Sequence, residues 1–392
     1  MISVAEALEK VLQLAAVPQA EVVHLSQAAG RFMLTEARAL RDQPPFSASA
    51  MDGYAICGPA LPGARFEVIG EASAGHRFDG HISAGQCTRI FTGAPVPQGA
   101  DRVIIQEDAL RDGQWITLRD KLDPAPYIRA QGQDFRVGDR VSPRWLRPGD
   151  IALLAAMNIP QVAVARRPVV AIIATGDELI APGGIPRDDQ IIASNSYALK
   201  AMAESVGATA RLLPIARDTE GDLRMVFDLA AGADLIVTIG GASVGDHDLV
   251  AKVAGDLGLE RAFYKIAMRP GKPLMAGKLR GSSLIGLPGN PVSSIVCGHI
   301  FMLPLLRAMQ GDPAPVAPLR RAVLTHDLPP NGPRAHYMRA EVTEGSSLPM
   351  IRAFEHQDSA LLKTLTEANA LLVRPVSDGP RPSGSDVFFL PL

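Results

Sequence analysis

Cysteine is scarce in this chain. Cys57, Cys87 and Cys297 are the only three among 392 residues, and no two of them form a CxxC pair. That excludes a disulfide framework and a zinc knuckle, and it fits a reducing compartment. Net charge is nearly absent as well, at −2, so bulk electrostatics offers no hold on nucleic acid and any anion site must be local. The richest apolar stretches, 151–165, 168–174 and 234–241, are short or broken by Pro, Asn, Gln or Gly. None reaches the ~20 residues that span a bilayer. The opening MISVAEALEK lacks the basic and apolar regions of a secretory signal. These absences predict a soluble, cytoplasmic protein with no nucleic-acid and no membrane partner.

Several enzyme signatures are missing too. No G-x-S-x-G elbow, H-E-x-x-H pair or Cys–His nucleophile signal occurs. No G-x-G-x-x-G follows a predicted strand, which weakens a dinucleotide oxidoreductase reading.

What the chain has is size and turns. At 392 residues it can hold two to four domains of roughly 100–200 residues each. Gly (36) and Pro (32) are spread along the chain, which favours many tight turns over a disordered tail. Ser3 and Glu6 form a capping box before a helix that carries Val4, Leu8, Val11 and Leu12 at helical spacing. A second helix-like stretch covers 25–37. Short β-like runs at 66–69, 87–91, 102–106 and 115–118 then predict a β-rich domain. Asp150 is a candidate N-cap for a helix over 151–158 that returns to the N-terminal helices.

From 168 to 311 the pattern becomes strand–turn–helix, which predicts a doubly wound, mostly parallel sheet with its ligand at the C-terminal strand ends. A linker, GDPAPVAP (311–318), precedes a last segment with strand-like runs at 322–325, 370–373 and 386–390. The expected fold is therefore multidomain α/β plus β. Residues 1–40 and 141–166 make a discontinuous helical element, 41–140 an inserted β-rich domain, 167–311 the α/β domain and 312–392 a small β domain.

The polar turns carry the chemistry. They read SAMDGYA (49–55), FTGAPVP (91–97), GQDF (132–135), ATGDEL (174–179), IGGASVGDHD (239–248), MRPGKP (268–273) and GLPGNPVSS (286–294). Thr175 and Gly176 free backbone donors, while Asp177 and Glu178 supply acceptors; an Asp that only caps a turn is the plain alternative. Gly240, Gly241 and Gly245 let the backbone approach an oxyanion, and Ser243 can donate to it. The loop lacks the G-K-[ST] ending of a Walker A motif. Asp246 and Asp248 beside it suit a bound cation, though one of them can serve as an N-cap. His247 more readily makes an ordinary hydrogen bond than a metal bond. Lys265, Arg269 and Lys272 crowd one short segment and suit an anion; a solvated basic rim is the alternative. Pro288 precedes a helix start with Asn290 as N-cap and Pro291 at its first position, and helix N-termini attract anions. Asp52, Thr92 and Asp134 mean little in isolation.

Taken together and in this order, SAMDGYA, TGAPVP, TGDEL, GGxSVGD, PGKP and GLPGNPVS resemble the molybdopterin molybdenumtransferase family, MoeA and the E domain of gephyrin. The likeness runs over nearly the whole chain. It implies an enzyme of molybdenum cofactor biosynthesis that takes molybdate and adenylylated molybdopterin as substrates. Molybdenum is inserted at the dithiolene and AMP is released, with Mg²⁺ or another divalent metal. The resemblance also implies an elongated homodimer whose cleft can draw on both subunits, and docking with the molybdopterin adenylyltransferase.

Carried over by motif, the catalytic set is Asp52, Asp134, Glu178, Asp248 and Lys265. Asp52, Glu178 and Asp248 are the metal candidates. Substrate binding falls to Thr92, Thr175, Gly176, Asp218, Gly240, Gly241, Ser243, Arg269, Lys272, Pro288, Asn290 and Ser294, with Arg339 and Ser359 on weaker local motifs. The chain departs from the family pattern at Arg269, where many relatives carry Lys, and at Gln133, where an acid is common. A pyrophosphatase-like nucleotide enzyme and a non-catalytic scaffold or carrier are the rival readings. SAMDGYA and TGAPVP count against the first, and the retained carboxylates against the second.

Overall fold

The structure is a computed structural model that describes residues 1–241, 249–345 and 347–392. The chain divides into two compact units, one of Val22–Val164 and one of Met1–Glu21 with Ala165–Leu392.

The first unit is built on a six-stranded sheet. Its strand order is Arg102–Ile105, Gly53–Ile56, Gln86–Ile90, Arg65–Ala72, Trp115–Leu118 and Ala109–Asp112. Apolar side chains alternate between two cores, as the period of two in a strand requires. Tyr54, Ile56, Phe66 and Ile116 fill one, and Ala55, Ile82, Ile90 and Val103 fill the other. Gly53 sits mid-sheet between two partner strands. A Cβ there would meet the Ile104 carbonyl oxygen at 1.9 Å, so the SAMDGYA glycine is required by a close backbone approach.

Two sequence expectations fail in this unit. The helix expected over 25–37 is only a 3₁₀ turn, Leu25–Gln27. Gly30 then takes a left-handed φ of 71°, and the chain runs extended, bridging Phe32 to Trp145 and Met33 to Val164. Non-local pairing overrides local helical spacing here. The later helix, Pro148–Ala156, does form, and Leu154 joins Leu25 and Met33 in one core. Asp150 is not its N-cap. It stands three positions inside, where its carboxylate accepts the Arg147 N–H at 2.9 Å.

The second unit holds an α/β layer and a β barrel. Its central strands are β1 (Val169–Ala174), β2 (Thr209–Leu212), β3 (Leu235–Ile239), β4 (Glu260–Tyr264), β5 (Met275–Leu279) and β6 (Ser282–Leu287), in the order β2-β1-β3-β6-β5-β4. β1, β2, β3 and β6 run parallel, and β5 is antiparallel to both of its neighbours. Val170 and Ile172 face one helical layer, Ala171 and Ile173 the other, so the strand reads as a continuous apolar run. The capping box at Ser3 forms as expected, and Ala7 and Val11 of its helix join the first of these layers.

A 19-residue helical stretch, Pro291–Met309, also packs there. By length and composition alone it could cross a bilayer, a point the apolar-run reading of the sequence missed. In the structure 72% of it is buried inside the protein, as in a core helix. Beyond it, Ala335–Thr343, Met350–Ala353, Arg320–Leu324, Asp386–Pro391 and Ala370–Arg374 close into a five-stranded barrel. Closure leaves no free edge within that ring.

Replacing Gly53 with Ala should lower unit stability by about 1–3 kcal/mol, because the backbone must move to admit the methyl. Urea unfolding followed by circular dichroism measures this. An unchanged midpoint would show that the sheet yields at no cost.

Candidate functional site

The strand order fixes where a ligand can sit. From β1 the chain crosses to β2 on one side, then returns past β1 to β3 on the other. Crossovers that leave in opposite directions open a crevice at the carboxyl ends of the strands. A cleft of about 720 Å³ lies there. Thr175, Gly176 and Glu178 line it after β1, Gly240 and Gly241 after β3, and Pro288 and Asn290 after β6. Asp218 and Lys272 complete the predicted residues that the structure brings together.

The loop backbones are laced tightly. Thr175 N–H donates to the Ile239 carbonyl at 3.0 Å, Gly176 N–H to Ala216 at 3.1 Å and Gly240 N–H to Leu287 at 3.1 Å. Gly240 has φ 89°, and a Cβ on it would lie 2.7 Å from the Thr175 carbonyl oxygen. A side chain there would push apart two loops that both line the cleft.

The paired acids of ATGDEL divide their work. Asp177 accepts the Asp218 N–H at 3.2 Å, so it fastens the turn, while Glu178 lines the cleft. Asp218 is raised above the ordinary carboxyl pKa, first by loss of hydration and then by the charges of Asp177 and Glu178. Three oxygen-rich side chains that repel one another suit a hard cation. Among the described residues, however, no three His, Cys, Asp or Glu converge into a ready metal cage.

Asn290 starts its helix, but its side chain does not cap it; Nδ2 donates to Ser359 Oγ at 2.8 Å. The Val292 N–H is taken by the Ser359 carbonyl at 3.0 Å. Ser359 thus reaches the cleft edge through Asn290, and its neighbour Ala360 lines the cleft. Arg339 is 1% exposed. Its Nη1 donates to the Leu361 carbonyl at 3.1 Å and its Nη2 to the His356 carbonyl at 3.2 Å. It therefore holds the 356–361 segment rather than lining the cleft.

The remaining predicted residues lie elsewhere. Ser294 is buried, and its hydroxyl donates to the Pro291 carbonyl at 2.9 Å. The crowded cations diverge. Lys272 enters the cleft, Lys265 Nζ lies 5.0 Å from the Tyr264 ring centre, and Arg269 lines a separate cavity with His336 and Arg374. Ser243, Asp246, His247 and Asp248 fall outside the described residues, as does Gly245.

Asp52, Thr92 and Asp134 belong to the unit Val22–Val164. There the Thr92 N–H and hydroxyl donate to Asp52 Oδ1 at 2.7 and 2.8 Å, which holds that carboxyl below its ordinary pKa. Asp134 is exposed, and its N–H donates to the Gln43 carbonyl.

Sequence reasoning missed Asn195 and Ser196, which line the cleft at the head of the helix Asn195–Ser205. Asn195 Nδ2 donates to the Gly289 carbonyl at 2.6 Å, tying that helix to the turn after β6. The polar run Ser194–Asn195–Ser196 after two isoleucines was the available signal.

Three family models match consecutive parts of the chain. They are "MoeA N-terminal region (domain I and II)" over 2–158, "Probable molybdopterin binding domain" over 171–308 and "MoeA C-terminal region (domain IV)" over 321–392. The chain is 34% identical over 386 residues to the molybdopterin molybdenumtransferase of Nostoc sp., covering 95% of this chain and 88% of that protein. The chain belongs to the molybdopterin molybdenumtransferase (MoeA) family.

It is 33% identical to molybdopterin molybdenumtransferase 2 of Mycobacterium tuberculosis, covering 90% of each. The solved structure of a molybdopterin biosynthesis MoeA protein from Pyrococcus horikoshii OT3 superposes with a TM-score of 0.84 at 25% identity, over all of both chains. This MoeA-family chain is thus a transferase of molybdenum cofactor biosynthesis, and its multidomain α/β plus β fold is that of its relatives.

The charge crowding in the cleft is measurable. A carboxyl whose folded-state pKa is raised destabilises the fold once ionised, so Asp218→Asn should raise the unfolding midpoint of the ligand-free protein near neutral pH. The gain should vanish as pH falls through the ordinary carboxyl range, where Asp218 is protonated anyway. Asp218 keeps much solvent contact, so the effect should stay below about 1 kcal/mol. Calorimetry across pH checks this, and a lower midpoint at neutral pH would contradict the repulsion.

Proposed function

We propose that this chain inserts molybdenum from molybdate into adenylylated molybdopterin and releases AMP. The observation that carries the reading is the strand-end cleft, which sets Lys272 and a helix start on the same cavity as Glu178 and Asp218. The Lys272 ammonium and the positive end of the helix that starts at Pro291 suit phosphate oxygens, and a phosphoanhydride spreads its charge over several of them. Fixed donors aimed at charge that develops in the transition state lower the barrier without reorganising.

Glu178 and Asp218 are the described residues that would hold Mg²⁺ or another divalent ion. Such an ion neutralises charge on phosphate oxygens and favours their cleavage. Two carboxylates are an incomplete set, which suits an ion that also takes substrate oxygens and water. The Asp218 carboxyl is raised first by loss of hydration and then by the Asp177 and Glu178 charges, and the second of these is relieved when a cation binds.

Asp52, Thr92 and Asp134, with Ser243 and Asp248, are proposed as further substrate- and metal-handling residues on the strength of their family motifs. The two hydrogen bonds from Thr92 support an ionised, oriented Asp52. The homodimer, docking with the adenylyltransferase and a cytoplasmic setting rest on family likeness. Free cysteines at Cys57, Cys87 and Cys297 are in keeping with the last.

The test is AMP release from adenylylated molybdopterin with Mg²⁺, with and without molybdate. The expected result is molybdate-dependent release, with Lys272→Ala lowering kcat/KM by about 10²–10³ while the fold is retained. Tight binding of the adenylylated pterin with no AMP release would instead make the chain a carrier.

A further inference from the structure

A separate cavity of about 390 Å³ opens at the far part of the Pro291–Met309 helix; its lining includes no Asp or Glu side chain among the described residues, and Leu392 brings the α-carboxylate to its edge. His299 and Arg307 reach it from the helix, and Arg320 from the first strand of the barrel. Val206, Leu303 and Leu390 supply apolar wall. Among the described residues, neither Arg307 nor Arg320 makes an ion pair. Arg321, the next residue along, pairs with Asp386, and Arg374 pairs with Asp378. Arg307 and Arg320, neither of them so paired, share the cavity.

The helix is also irregular at this point. Pro304 has no N–H to offer the Ile300 carbonyl, and the Leu303 N–H bonds back to Gly298 instead, five residues away. The turn Gly298–Met302 is therefore a π-turn, a local widening frequent at functional sites. His299 lies within it. Its ring makes no hydrogen bond among the described residues. Burial first, and then the charge of Arg307, push its pKa down to about 4, so the imidazole is neutral near pH 7. This cavity sets a neutral, half-buried imidazole beside two guanidiniums that form no ion pair among the described residues, Arg307 half-buried and Arg320 exposed. It is a good start for a ligand with one strongly anionic group.

We propose that this cavity binds a small organic phosphate monoester, with its phosphate on Arg307 and Arg320 and within hydrogen-bonding reach of His299, and its carbon body against Val206, Leu303 and Leu390. Two guanidinium forks match the charge and the oxygens of a phosphate dianion. The volume falls within the usual range for small-molecule sites. A basic rim that is merely solvated is the bland alternative, and it predicts no saturable binding.

The test uses the full chain and phenyl phosphate as probe, with phenol as the uncharged control, following the His299 ring proton by NMR. A saturable shift with phenyl phosphate and none with phenol is expected, at a dissociation constant near or below about 1 mM. Arg320→Gln, an exposed position that should fold normally, and Arg307→Gln should each weaken it by roughly tenfold, the scale of one charged hydrogen bond. Lys272→Ala, which alters the strand-end cleft, should leave the shift intact. Loss of the shift in Lys272→Ala would overturn the proposal, because the probe would then be sitting in the cleft. An equal shift with phenol, or no saturation by about 10 mM, would overturn it as well. None of these readouts uses turnover, so the outcome is independent of the transferase reading.

Discussion

The close approach of three loop backbones at the ends of β1, β3 and β6 is the constraint on which the site depends. Parallel strands in register bring Ala174, Ile239 and Leu287 to one level, and each chain must then turn away within a few residues. The space between them is too small for side chains at Gly240 and Gly241, where a Cβ would meet Thr175 and Val250. Because the first hydrogen bonds after each strand join loop to loop, the turns form one rigid rim. The Thr175, Gly176 and Gly240 N–H groups are spent inside this rim, so their role is to fix where the cleft-lining side chains Glu178 and Asn290 stand.

That rim is supported from two sides by elements far away in sequence. Asn195 ties the helix Asn195–Ser205 to Gly289, and Ser359 is tied to Asn290. Ser359 is in turn held by a clamp inside the barrel. Arg339 donates to the carbonyls of His356 and Leu361, and the Gln357 side chain donates to the carbonyls of Arg339 and Phe354 at 3.0 and 2.7 Å. A buried guanidinium is costly unless its donors are satisfied. Here the donors set a loop, so the barrel acts on the cleft by fixing where its edge stands. The closed ring of five strands is a suitable anchor because its backbone groups are satisfied within the ring.

The legibility of these features in the sequence follows their range. Strands such as Val169–Ala174 and Leu235–Ile239 were readable because burial on both faces leaves an unbroken apolar run. The turns after them were readable because close approach demands glycine. Residues 25–37 were misread because their spacing is helical, yet their partners are Trp145 and Val164, more than a hundred positions away. The strands Ala335–Thr343 and Met350–Ala353 escaped notice because barrel strands with polar outer faces lack a long apolar signature. The same limit applies to Lys265, Arg269 and Lys272. Proximity in sequence suggested one anion, but a strand pairing at Met268–Arg269 sends Arg269 toward the barrel and leaves Lys272 alone in the cleft. Local chemistry names candidate residues, and only long-range pairing decides which of them meet.

The cleft's charge pattern narrows what can occupy it. An anion alone would be drawn to Lys272 and the helix start at Pro291 but repelled by Glu178 and Asp218. A cation alone would meet the reverse. A polyanion carrying its own divalent ion satisfies both halves at once, with each charge screening the other's repulsion. Asp177 sharpens this division. Its carboxylate is held on the Asp218 N–H, so it stays near the other two acids and, after loss of hydration, adds to the upward shift of the Asp218 carboxyl. Under the proposed reading, a cleft built this way favours the joint complex of phosphoanhydride and divalent ion over either one alone.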